Sequence, residues 1–171
     1  YDVLYTYILA RVQYWSQQAQ QDGDKLLQRL LNASDKERNT AKKKQTAELK
    51  KATKRKAEVD NLFAKMYEDW SVGRITEYNF NMLSEKYQAE QHELDEKIQE
   101  LQAELDAAVQ TAVDAEKWIE LMKKYVNPTQ LTAELLNALI EKILIHEAVK
   151  HEDGTREQEV EIFYRFIGKV E

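Results

Sequence analysis

Between Gly23 and Gly154 the chain has one glycine, Gly73, and one proline, Pro128. So few turning residues leave few places to bend, and the apolar pattern shows what lies between them. Before Gly73, Val59, Leu62, Phe63, Met66, Tyr67 and Trp70 recur at three- and four-residue steps, which is one face of a helix. Ser71-Val72-Gly73-Arg74-Ile75-Thr76 interrupts the pattern. Phe80, Tyr87, Leu94, Ile98, Leu101 and Leu105 then resume it in steps of three, four and seven. Two periodic runs around a short glycine turn predict an antiparallel helical hairpin, with its turn near 71–76.

The fold class that follows is mainly α. A long antiparallel coiled-coil hairpin over 24–125 is preceded by an N-terminal packing helix over 1–23 and followed by a small α+β module over 126–171. The first helix places Leu4, Tyr5, Ile8, Val12, Trp15 and Ala19 on one face; Val3, Tyr7 and Tyr14 widen it, predicting packing on two sides. Gly23 is expected just past its end, with Asp24 capping the next helix. One helix is predicted from Asp24 to Ser71, based on Leu26, Leu27, Leu30 and Leu31. Its core positions at Asp35, Arg38, Lys42 and Gln45 are polar, so the seam there cannot be continuously dry. The second arm starts after Thr76, a good N-cap, and adds Ala108, Ala112, Ala115, Ile119 and Met122. It ends near Tyr125, and its rise of ~1.5 Å per residue makes it roughly 70 Å long. Folding at Gly73 sets Phe63 opposite Ser84, Val59 opposite Tyr87, Ala52 opposite Leu94 and Leu49 opposite Ile98.

After Pro128 a short helix is predicted from Thr129 to about Glu141. Lys142 to Val149 and Glu159 to Phe166 then read as two strands of a β-hairpin turning at Asp153-Gly154. Val160, Ile162, Tyr164 and Phe166 are the expected inward residues.

Composition narrows the function. The 33% charged fraction and mean hydropathy of −0.71 fit a body with much exposed helix. The absence of cysteine excludes disulfides and thiolate zinc sites, and suits a cytoplasmic protein. No apolar run approaches the ~20 residues a membrane helix needs. An opening Tyr1-Asp2-Val3-Leu4, without methionine, reads as a piece of a longer polypeptide.

The net charge of −6 argues against a surface that coats DNA. Charge is segregated, however. Lys42, Lys43, Lys44, Lys50, Lys51, Lys54, Arg55 and Lys56 lie on the first arm; Glu90, Glu93, Asp95, Glu96, Glu100 and Glu104 lie on the second. The basic run has two readings, a phosphate-binding stripe or a solvated hairpin face. Opposed acids within a Debye length of ~8 Å favour the second.

No phosphate loop, nucleophile elbow or dinucleotide fingerprint is present, and no cofactor or metal is expected. His146, Glu147, His151, Glu152 and Asp153 straddle a turn and read as surface residues rather than a metal site. His92 and the carboxylates Glu93, Glu96 and Glu100 lie on an exposed helix. Trp70, Val72, Arg74, Ile75 and Tyr78 place large apolar groups at the hairpin turn. They are either a partner contact or, for Trp70 and Tyr78, an internal closure of the turn.

Phe63 to Gln91 resembles the coiled-coil region of large serine recombinases of mobile elements. Leu135 to Glu147, with Ile140-Glu141-Lys142-Ile143, and Val160 to Gly168, with Tyr164-Arg165-Phe166-Ile167-Gly168, are similar to the C-terminal module of the transposon-type members. Tyr1 to Leu9 is similar to the segment after their zinc ribbon. The resemblance covers nearly the whole chain, in order. It implies a parent enzyme that cuts and rejoins DNA through a serine, with this part non-catalytic. It also implies partners: other recombinase protomers through the coiled coil, an accessory directionality protein, and DNA through the parent chain. The alternative is a structural coiled-coil scaffold or adaptor with a small docking head.

Overall fold

The computed structural model describes residues 2–151 and 156–170. Its helices are α1 (Asp2–Gln21), α2 (Gly23–Leu30), α3 (Asp35–Ser71), α4 (Glu77–Lys124) and α5 (Ala133–Leu139). Its strands are β1 (Ile140–Ile145), β2 (Val149–Lys150), β3 (Arg156–Glu157), β4 (Val160–Tyr164) and β5 (Gly168–Lys169). Two compact units result: an aromatic-cored unit of Tyr1–Ser34 with Gln110–Glu171, and a hairpin unit of Asp35–Val109. Turn residues divide the sequence after 23 and 125, whereas the units are cut after Ser34 and Val109.

In the hairpin unit, α3 and the first part of α4 form the antiparallel pair that the periodicity predicts. On α3 the inward positions are Gln45, Ala52, Val59 and Met66, with Leu49, Lys56 and Phe63 between them. On α4 they are Phe80, Tyr87, Leu94 and Leu101, with Ser84, Gln91, Ile98 and Leu105 between them. Each set repeats every seven residues, as a coiled-coil seam requires. Only Ala52, Val59, Met66 and Leu101 are fully buried, so the seam is narrow. Polar cross-links set its register. Arg55 donates twice to Glu90, at 2.7 and 3.2 Å; Gln91 donates to Asp60 at 2.6 Å and Gln45 to Glu104 at 3.0 Å. Lys56 Nζ lies 3.3 Å from Asp95. Such exposed pairs are worth ~0–1 kcal/mol each, so they select alignment more than they stabilise.

The turn is closed by backbone geometry. Gly73 has φ 78°, its N–H donates to Trp70 O at 3.0 Å, and Arg74 N–H donates to Asp69 O at 2.8 Å. This paired closure needs a left-handed residue, the conformation only glycine adopts without steric cost. Thr76 then caps α4 through Asn79 N–H at 3.3 Å.

The same device corrects one expectation. A single helix from Asp24 to Ser71 is predicted, but the chain stops at Leu30 and restarts at Asp35. Asn32 takes φ 52°, its N–H donates to Arg29 O, and Ala33 N–H donates to Gln28 O. Asparagine, the best non-glycine residue for this conformation, makes the same closure as Gly73. The start of α2 also differs: Asp22, not Asp24, is its N-cap, accepting from Lys25 N–H at 2.9 Å, and Gly23 is its first residue.

The other unit is built around aromatic side chains. Trp15, Trp118 and Tyr164 are essentially unexposed and meet edge to face, at 5.8 Å between the tryptophans and 5.5 Å from Trp118 to Tyr164. Ile8, Val12, Ala19, Leu26, Ile119, Met122, Leu135, Leu139, Ile140 and Ile162 complete this core. α1 buries Ile8, Val12, Trp15 and Ala19, while Val3, Tyr7 and Tyr14 are exposed, so α1 packs through one face. Its polar residues hold the segment after α4. Ser16 donates to Tyr125 O, Gln13 to Pro128 O at 2.8 Å, and Tyr5 Oη accepts from Leu131 N–H at 2.9 Å.

The C-terminal elements are shorter and more numerous than expected. Thr132 caps α5 through Leu135 N–H, and the helix ends at Leu139, so Glu141 lies in β1. β4 sits between β1 and β5, antiparallel to both, and β2 pairs with β3 separately. Asp153-Gly154, the expected turn, lies outside the described residues. Ile162 and Tyr164 point inward as expected. Phe166 does not: at φ 73° and 50% exposed, it lies in the turn from β4 to β5. Arg165 anchors that turn, its N–H on Leu139 O at 2.9 Å and its Nε on Asn137 O at 2.6 Å.

Candidate functional site

The strongest candidates are on the hairpin unit. Around its turn, Trp70 stacks on Phe80 with 4.5 Å between centroids, and Tyr67 leans on both rings. Ile75 is half-buried, and Arg74 is tied to Asp69 at 2.9 Å. Trp70 therefore closes the turn internally. Tyr78 does not: it is 78% exposed, Val72 is 65% exposed, and Tyr67 and Met82 are more than half exposed. These four leave an apolar surface at and beside the turn. Scattered exposed apolar residues need no explanation; four near one turn make a candidate contact surface.

The basic run is placed differently from the acids expected to neutralise it. Across the helix pair, Arg55 reaches Glu90 and Lys56 reaches Asp95; Arg55 and Lys54 also lie near Glu58 on their own helix. Hydrogen bonding to Glu90 raises the Arg55 pKa and lowers that of Glu90, while Asp95 raises Lys56. Lys42, Lys43, Lys44, Lys50 and Lys51 are exposed and make no ion pair among the described residues. Facing acids thus engage two of the eight basic residues.

The histidines do not converge. His146 meets Glu161 at 3.0 Å, His151 meets Glu157 at 3.2 Å, and His92 lies 3.3 Å from Glu96. Lys169 also reaches Glu161, at 2.6 Å, so Lys169 and then His146 hold the Glu161 carboxyl below its usual range. Glu152 and Asp153 lie outside the described residues. No three metal-binding side chains cluster among the described residues. A cleft of about 460 Å³ beside Trp15, Arg29, Asp114 and Phe166 has a lining of mixed charge. No helix is long and apolar enough to cross a membrane.

Two residues are missing from the sequence reading. Trp118, the centre of the aromatic core, is not among the α4 seam residues named there, although Ala115, Trp118, Ile119 and Met122 follow the three- and four-residue steps of one helix face. Lys36 lies too far from Lys42 to read as part of the basic run, although a helix brings it into line with that run. Tracing the α3 faces instead of counting charges finds it.

Residues 104–171 match a family model described as Domain of unknown function (DUF4368). The matched stretch is less than half of the chain and takes in the end of α4, α5 and the strands. No curated protein and no solved structure matches.

Proposed function

We propose that this chain is a non-catalytic C-terminal region of a DNA site-specific serine recombinase, whose helical hairpin mediates contact between protomers during synapsis. The observation that carries the reading is the exposed apolar group Tyr67, Val72, Tyr78 and Met82 at the hairpin turn, in the stretch that resembles the recombinase coiled coil. A turn needs no such residues for its own closure, because Gly73, Thr76 and the Trp70–Phe80 stack already supply it. In this role an accessory directionality factor would compete for or reshape the same surface. Residues 104–171 form a domain that recurs in other proteins, as a separable module would.

Val72→Asp with Tyr78→Ala in the intact parent tests the proposal. Both side chains are exposed, so folding should be preserved while synaptic complex and excision fall by about tenfold or more, as for loss of an interface anchor. Unchanged synapsis in a folded variant would overturn it. A scaffold role predicts that unchanged result, and an upstream coding sequence without a serine recombinase domain would favour it.

A further inference from the structure

We infer that one edge of α3 is a binding ridge for the phosphate backbone of duplex DNA. The geometry comes from helix spacing. Lys36, Lys43, Lys50 and Lys54 are separated by seven, seven and four residues, which keeps them on one line along a helix of 3.6 residues per turn. Lys44 and Lys51 flank that line. It lies half a turn away from Gln45, Ala52 and Val59, the positions facing α4, and all six lysines are exposed.

Distance then separates the ridge from the acids. Paired helices lie ~8–10 Å apart, and each extends ~5–6 Å from its own axis with side chains. The outer edge of α3 is therefore roughly 13–16 Å from the α4 axis, beyond the ~8 Å screening length at physiological salt. The acidic row on α4 cannot neutralise charges there. Lys36, Lys43, Lys44, Lys50 and Lys51 make no ion pair among the described residues, and Lys54 only grazes Glu58 at 4.0 Å.

The chemistry of the ridge selects the ligand. No aromatic residue occurs between Trp15 and Phe63, so there is no platform for unstacked bases. Leu49 is the only large apolar residue from Lys36 to Lys56 and is half-buried, so nothing can insert into a bilayer. A straight row of ammonium groups spanning ~27 Å fits a stiff polyanion of fixed phosphate spacing. The choice of DNA over duplex RNA rests on the recombinase reading above.

The test is fluorescence anisotropy of the 171-residue chain on a labelled 30-base-pair DNA duplex between 50 and 200 mM salt. Six phosphate contacts give a slope near −5.4, or about an 1,800-fold loss of affinity over that range. The triple variant Lys43→Gln, Lys50→Gln, Lys54→Gln should lose only about 40-fold. Lys86→Gln with Lys97→Gln and Lys124→Gln, exposed lysines of α4 with equal charge change but off the ridge, should keep the full slope. Equal slopes for the two triple variants, tighter binding to duplex RNA or phosphatidylserine vesicles, or no binding at 50 mM salt would each overturn the ridge. Loss of DNA binding by the ridge variant, alongside normal synapsis in the turn variant, would leave the ridge standing and remove the protomer-contact role. The converse pair of results would remove only the ridge.

Discussion

The two units are stabilised in opposite ways. The unit of 1–34 and 110–171 joins distant segments around Trp15, Trp118 and Tyr164, and its buried cluster has thirteen members. The hairpin unit has four fully buried residues, Ala52, Val59, Met66 and Leu101, spread along two long helices. A concentrated core makes stability depend on a few large side chains. A distributed seam spreads it over many small contributions, each nearly dispensable, and leaves most of both helices facing solvent. The first arrangement suits a rigid body, and the second suits a surface on which charge and apolar groups can be displayed.

The largest effect that tests this contrast is expected from Trp118→Ala. Removing a fully buried tryptophan costs about 3–5 kcal/mol. Hydrogen exchange should show lost protection in α1, α5 and β4, with the amides around Val59 and Met66 still protected. Equal loss in α3 would mean that the units share one cooperative core, and the contrast would fail.

A smaller effect comes from Tyr164. Burial pushes its phenol up to about 12, and the Arg11 charge pulls it back only in part. Tyr164 Oη, Trp15 Nε1 and Trp118 Nε1 are all buried without a hydrogen-bond partner. An unfolded tyrosine ionises near pH 10. From there to about pH 12 the unfolded state has lost a proton that the folded state keeps, so stability falls as pH rises. The loss approaches about 2–3 kcal/mol by pH 12. Tyr164→Phe should flatten this alkaline limb in urea titrations and change stability little at pH 7. A limb that persists in Tyr164→Phe would place the ionising group elsewhere.

The smallest effect belongs to the hairpin turn. A Cβ added at Gly73 meets nothing within 4 Å, so Gly73→Ala introduces backbone strain alone. About 1–2 kcal/mol is expected, read as a shift in the denaturation midpoint. A larger loss would show that the thin seam cannot absorb strain at its end.

The hairpin was readable in the sequence because its evidence is local. Val59 to Trp70 and Phe80 to Leu105 hold the helical period over many turns, and Gly73 with Thr76 specifies the reversal. The break at Asn32 was less apparent, since Leu26, Leu27, Leu30 and Leu31 look like the base of a continuing helix. Its signals were weaker ones: an asparagine able to turn left-handed, then Ser34 and Glu37 at capping-box spacing. The charge balance was legible in part, since Arg55 and Lys56 do meet Glu90 and Asp95 across the pair. Lys42 to Lys56 and Glu90 to Glu104 are neighbours along paired helices, but sequence position does not show which side of each helix bears the charge. Periodicity marks Trp15 and Tyr164 as inward but cannot show that they meet Trp118, because the three come from segments more than forty residues apart. Phe166 continues the alternation of β4, and the alternation ends only because Arg165 is anchored to α5.

The seven-residue repeat has a consequence for how such a chain can vary. Residues added to or removed from one arm alone would rotate its inward face away from the other. Gain or loss of a whole heptad from both arms would restore every facing pair and change the hairpin by about 10 Å. Among relatives, then, reach should be a stepped quantity: insertions should come in matched sevens on either side of Gly73, and lone insertions should collect at the turn.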